Sequence, residues 1–156
     1  MRTFIKTLLS IGLLAFFTGT AMSQDANEKA IKARQAVMQI YSFNLGQLGA
    51  MVKGEVDYDA ELASIIAKDL LAAANMDNRA MWPQGSGEDA YPGKTRALPA
   101  LWSTFPKVLE KQAALRTAAE KLAAEAGNGV EAIKANMGGV GGSCKGCHDD
   151  FRAEKK

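Results

Sequence analysis

The chain has 156 residues, 47% hydrophobic and 23% charged, with a formal net charge of +2. This balance is that of a folded globular domain rather than a disordered chain, and it lacks the basic excess that nucleic-acid binding requires. Two cysteines and one histidine in total are too few for the four ligands that a zinc site normally takes from Cys, His or carboxylate.

Arg2 and Lys6 precede an apolar run from Leu8 to Phe17, and Ala21-Met22-Ser23 follows as a small-residue cleavage pattern. These are the three parts of an export signal. The apolar run is shorter than the roughly 20 residues that span a bilayer. Residues 1–23 are read as a signal peptide and residues 24–156 as one domain exported to the periplasm. Cleavage after Ser23 removes two basic residues and no acidic one, leaving 17 of each sign. The remaining length suits a single core.

A first helix is expected from about Asn27 to Val52. Ile31, Met38, Leu45 and Val52 recur every seven residues, with Leu48 on the same side, an apolar stripe at helical period. A second helix is expected from Asp57 to Ala80, its apolar line being Tyr58, Leu62, Ile65, Ile66, Leu70 and Ala73. Asp57 or Asp59 supplies its cap. Residues 81–97 hold two prolines, three glycines and no periodicity, which marks a long loop. Loops of that length tend to carry function, and Trp82 and Tyr91 within it are expected to pack against the rest of the fold.

A third helix is expected to begin near Pro99 or after Thr104-Phe105-Pro106. It runs to about Ala126, burying Phe105, Val108, Leu109, Leu115, Ala119 and Leu122, and Gly127-Asn128-Gly129 ends it. The fourth has the cleanest stepping: Val130, Ile133, Met137, Val140, Cys144, Cys147 and Phe151. Gly138, Gly139, Gly141 and Gly142 interrupt it with residues unfavourable in a helix by about 1 kcal/mol each. A continuous helix is expected there, with the small residues serving a close approach. Four amphipathic helices, one long crossover and no strand pattern give an all-α four-helix bundle.

The fourth stripe leads into Cys144-Lys145-Gly146-Cys147-His148, the attachment signature of a c-type haem. Positions three apart lie on one helical face, so both sulfurs reach the two vinyl groups of one porphyrin edge. His148, next to the second cysteine, is placed to bind the iron from one side. A thioredoxin-like dithiol would want a strand before the motif and a βαβ context. A plain disulfide would not need the histidine. The cofactor expected is one haem c, bound covalently through Cys144 and Cys147 in the bundle core. No general base, nucleophile or oxyanion arrangement is apparent, and the lone histidine is occupied by iron, so no enzymatic activity is expected.

With these features in place, the chain resembles the class II c-type cytochromes, the cytochrome c prime family with its low-spin members. The carrying residues are the C-terminal haem motif through Asp149-Asp150-Phe151-Arg152, Arg34-Gln35-Ala36-Val37-Met38, and Gly93-Lys94-Thr95 with Trp102 soon after. The resemblance implies that Arg34 and Gln35 lie beside the haem, the arginine at a propionate. It further implies that Thr95 is a haem-side loop residue and that Arg152 flanks the proximal imidazole. For Met38 the family offers two roles: blocking the distal face without binding, or acting as sixth ligand to the iron. The first gives a five-coordinate protein that binds nitric oxide or carbon monoxide. The second gives a one-electron carrier serving periplasmic redox proteins, the reading preferred from sequence. A homodimer is a further expectation, with Val37, Ile40 and Phe43 as candidate contacts.

Overall fold

The computed structural model describes residues 18–155, with side chains from residue 26 onward. The basic and apolar parts of the expected signal peptide lie outside the described residues. Among the described residues are five α-helices: α1 (Thr18–Lys53), α2 (Ala60–Asn75), the single turn α3 (Ala100–Ser103), α4 (Phe105–Glu125) and α5 (Val130–Phe151). Helix α1 packs on α2 and α5, and α4 packs on the same two. The four long helices therefore form a square, up-and-down bundle. Among the described residues, no helix is long and apolar enough to cross a membrane.

Helix α1 runs unbroken across the expected start at Asn27 and is already helical at Thr18, the first described residue. Its buried line is Ile31, Arg34, Val37, Tyr41, Asn44, Leu48 and Met51, in steps of three or four. This differs from the expected seven-residue stripe: Met38 is 37% exposed, while Leu45 and Val52 only flank the core. The expectation missed this line because two of its members are polar. Val37, expected as a dimer contact, is core; Ile40 and Phe43 are exposed.

Asp59 caps α2, its Oδ1 accepting from the Leu62 backbone N–H at 2.9 Å. Ile66, Leu70 and Ala73 are buried as expected, but Leu62 and Ile65 are exposed, and Ala63 and Ala67 face the core instead. The helix stops at Asn75 rather than Ala80. Asp77 ends it: Oδ1 accepts from the Arg79 N–H at 3.3 Å, and the two carboxylate oxygens hold the guanidinium at 2.9 and 2.6 Å. Short acidic side chains compete with the helical ladder in this way.

Both starts expected for the third helix occur, because α3 and α4 are separated at Thr104. Pro106 has no N–H to continue the ladder and sits where a new helix tolerates it, in the first turn of α4. Leu109 is exposed rather than buried. Helix α5 runs unbroken through Gly138, Gly139, Gly141 and Gly142. A Cβ at Gly138, Gly141 or Gly142 would meet nothing within 4 Å, and one at Gly139 would only touch the Ala118 methyl at 3.6 Å. Packing within this chain therefore does not require the glycines.

Two cores result. The larger fills the bundle around Leu48, Leu70, Leu122, Ile133 and Val140, all fully buried. The smaller joins Leu101, Val108 and Phe151 to Trp82, Trp102, Phe105 and Cys147.

Candidate haem site

The motif of α5 lies where the two cores meet. Cys144 packs against the larger and Cys147 against the smaller. Both thiols are free and half-buried, and burial pushes each thiol up, so they stand as neutral thiols rather than thiolates. Lys111 pulls Cys147 in the opposite direction and pairs with Asp150 at 3.0 Å. His148 is half-buried, and its pKa is lowered, first by burial and then by the positive charges of Arg152 and Arg96. The neutral imidazole that results is the form that ligates iron. Arg152 thus stands near the imidazole, as the resemblance implies. Arg96 joins it, and nothing in the sequence reading singled it out.

The wall opposite the motif comes from α1. A Cβ at Gly49 would lie 3.8 Å from Met137 Cε, and the pKa of Tyr41 is raised by burial first and by its neighbour Cys144 second. Residue numbers fall on α1 as they rise on α5, so the helices are antiparallel there. Continuing the register by one turn brings Met38 level with Cys147 and His148. Tyr41 is fixed by its hydroxyl, which donates to the Ala73 carbonyl at 3.0 Å.

The crossover closes one end. It is tied to the tail of α5 through the backbone: Leu98 N–H donates to Phe151 O at 3.0 Å, and Ala153 N–H to Arg96 O at 2.9 Å. In the turn Tyr91-Pro92-Gly93-Lys94, closed by Lys94 N–H to Tyr91 O at 3.1 Å, Pro92 supplies the fixed φ. Gly93 takes φ +77, the residue types of a type II turn. Gly87 admits the close approach of Trp102, whose Cζ3 would be 3.0 Å from any added Cβ.

Arg34, Gln35 and Thr95 are brought together at this crossover. The buried guanidinium of Arg34 donates from Nη1 to Met81 O at 3.2 Å and Ser86 Oγ at 2.7 Å. From Nη2 it donates to Ser86 O at 2.5 Å and Thr95 Oγ1 at 3.0 Å. Its plane lies 4.6 Å over the Trp82 ring, and burial lowers its pKa to about 10. The four terminal contacts all go to neutral oxygens of the loop, so the arginine clasps the crossover rather than sitting as a solvated charge. Gln35, exposed, donates from Nε2 to the Lys94 carbonyl at 2.7 Å, and Lys94 pairs with Glu28 at 2.5 Å. Ser86 was not expected as a site residue, although the Pro-x-Gly-Ser turn around it was a legible signal.

Two free thiols, a neutral imidazole beside them and an apolar wall at their level match the donor set of a haem c. The indole Nε1 of Trp82 adds a further sign of fit: it is sealed from solvent without an acceptor among the described residues. Buried donors are nearly always paired, and a cofactor carrying acceptor oxygens would pair this one.

The comparisons with known proteins agree. The family described as Cytochrome C' matches residues 29–152. The cytochrome c' of Cereibacter sphaeroides is 34% identical over 151 residues, covering 97% of this chain and all of that one. A solved cytochrome c' from Rhodobacter Spheriodes superposes with TM-score 0.78 at 35% identity, covering 83% of this chain and 98% of that one. A nitric oxide complex of a variant cytochrome c prime from Alcaligenes xylosoxidans does so with TM-score 0.72 at 30% identity, covering 83% and 97%. A haem motif at the end of the last helix, a square bundle around it and relatives matched over nearly their whole length converge on one assignment: the chain belongs to the cytochrome c prime family.

Proposed function

We propose that the protein is a periplasmic haem c protein whose iron is five-coordinate and binds nitric oxide or carbon monoxide on its distal side. Haem c would supply an iron that cycles between ferric and ferrous and a position for a diatomic ligand. Cys144 and Cys147 would each bond a vinyl carbon, the thiol hydrogen going to the adjacent carbon. His148 would hold the proximal side as a neutral imidazole, its protonation disfavoured by burial and then by Arg152 and Arg96. Val37, Met38 and Tyr41 would line the distal side and limit the access of water.

The observation that carries this reading is the likeness to the nitric oxide complex of the Alcaligenes protein, combined with the position of Met38. Its side chain is partly exposed instead of packed in the core, at the level of His148 on the opposite wall. From there it would screen the distal side. The electron-carrier reading, in which the same thioether binds the iron, uses the same position. Titrating the ferrous protein with nitric oxide separates them. Binding at one equivalent per haem, without displacement of a low-spin spectrum, supports the proposal. A low-spin spectrum that resists the gas supports the carrier.

Export to the periplasm fits the chemistry of haem attachment, which in bacteria takes place outside the cytoplasm. Self-association would use the exposed Ile40 and Phe43 of α1 with Leu62 and Ile65 of α2. Sedimentation of the purified protein over a concentration series tests it.

A further inference from the structure

Trp82 occupies a position that its packing alone does not explain. Its carbonyl accepts from the Trp102 indole N–H at 3.0 Å, which fixes the backbone. Its ring packs in the small core shared with Cys147 and Phe151. Its own indole nitrogen is buried and donates to nothing among the described residues. A donor left unpaired in the interior costs as much as its desolvation, so a phenylalanine would be more favourable here unless an acceptor arrives.

The kind of acceptor follows from the charge beside it. Arg34 stacks on the same ring at 4.6 Å, and its four terminal N–H contacts go to two hydroxyls and two carbonyls, none of them anionic. A buried cation without a neutralising partner, lying over a ring whose N–H is free, makes a local field that favours a negative acceptor. The anionic groups of a haem are its two propionate carboxylates. A diatomic ligand carries little charge, so it answers the free donor but not the uncompensated cation.

We infer that Trp82 is a haem-binding residue whose indole N–H donates to a haem propionate under the positive charge of Arg34. This rests on the haem assignment but not on gas binding, and its test is made without gas.

The test uses the purified holoprotein. Ultraviolet resonance Raman spectra report the hydrogen bonding of indole N–H groups, and the chain has only two tryptophans. Both should register as hydrogen-bonded in the unaltered protein. Trp82→Phe keeps an aromatic ring and removes the donor, so the pH at which the haem midpoint potential begins to fall should move upward by about one unit or somewhat less. The direction follows because a carboxylate that loses a donor holds its proton to higher pH. One non-bonded tryptophan in the unaltered protein overturns the inference, even if the variant fails to fold. An unshifted potential profile also overturns it. So does a variant whose only change is in the carbon monoxide stretching frequency, which would assign the donor to the distal ligand. A colourless protein would instead refute the haem assignment itself.

Discussion

Arg34 on the first helix donates to the hydroxyl of Ser86 at 2.7 Å across 52 residues of sequence, and Ser86 passes the bond on to the Pro83 carbonyl at 2.7 Å. One guanidinium thereby holds the crossover at three points, Met81, Ser86 and Thr95. The crossover in turn holds the tail of the haem-bearing helix.

Arg34→Ala should therefore loosen a loop rather than merely remove a surface charge. Losing charge-assisted bonds at a buried site costs on the order of 2–4 kcal/mol, to be read as a lower denaturant midpoint. Cleavage by a protease should appear within residues 82–97. Arg34→Lys should recover little, since a single ammonium cannot reproduce the fork. Cleavage spread evenly over the chain would contradict the clasp.

Asp77 gives a pH-dependent prediction. Its hydrogen bonds from Arg79 hold its carboxyl at about 2, below the ordinary 3.8. A carboxyl with a depressed folded value contributes stability that is full above the unfolded value and lost as pH falls through the folded one. Asp77→Asn should lower stability at pH 5, and the difference from the parent should vanish as pH approaches 2. The pair is exposed, so the effect is small. Urea midpoints at pH 5, 3.8 and 2 measure it, and a difference that grows toward acid would contradict the assignment.

The glycines of α5 can be tested one at a time. With open space at Gly138 and Gly142, alanine at either should stabilise the helix by about 0.5–1 kcal/mol. If a porphyrin edge lies against one of them, that substitution should instead reduce haem incorporation. Thermal midpoint and the ratio of haem to protein absorbance, read together for each variant, distinguish these outcomes.

Met38→Ala opens the distal wall. Carbon monoxide should bind the variant faster by about tenfold if the methionine presents a barrier of about 1.4 kcal/mol, and the high-spin spectrum should persist. A change from low to high spin on substitution would mean that the thioether had been a ligand.

The haem motif and the stepping of α5 were legible because apolar period and motif coincide on one face. The bundle followed from the number of amphipathic helices and the absence of any strand pattern. Asn44, buried in α1, was not legible as core, since a search for apolar period passes over polar residues. It chose Met38 in place of its neighbour Val37. The end of α2 at Asn75 depended on a local competition by Asp77 that alanine-rich propensity conceals. The tie between crossover and tail is made by backbone groups, which leave no mark in residue identity. Arg96 and the free indole of Trp82 became visible only once the loop was folded over the motif.

The most direct measurement is the visible spectrum of the exported, purified, dithionite-reduced protein before and after carbon monoxide. The account predicts a covalently retained haem with a broad high-spin spectrum that sharpens and shifts on adding the gas. A sharp low-spin spectrum indifferent to carbon monoxide would contradict the open distal side, and a colourless protein would contradict the haem itself.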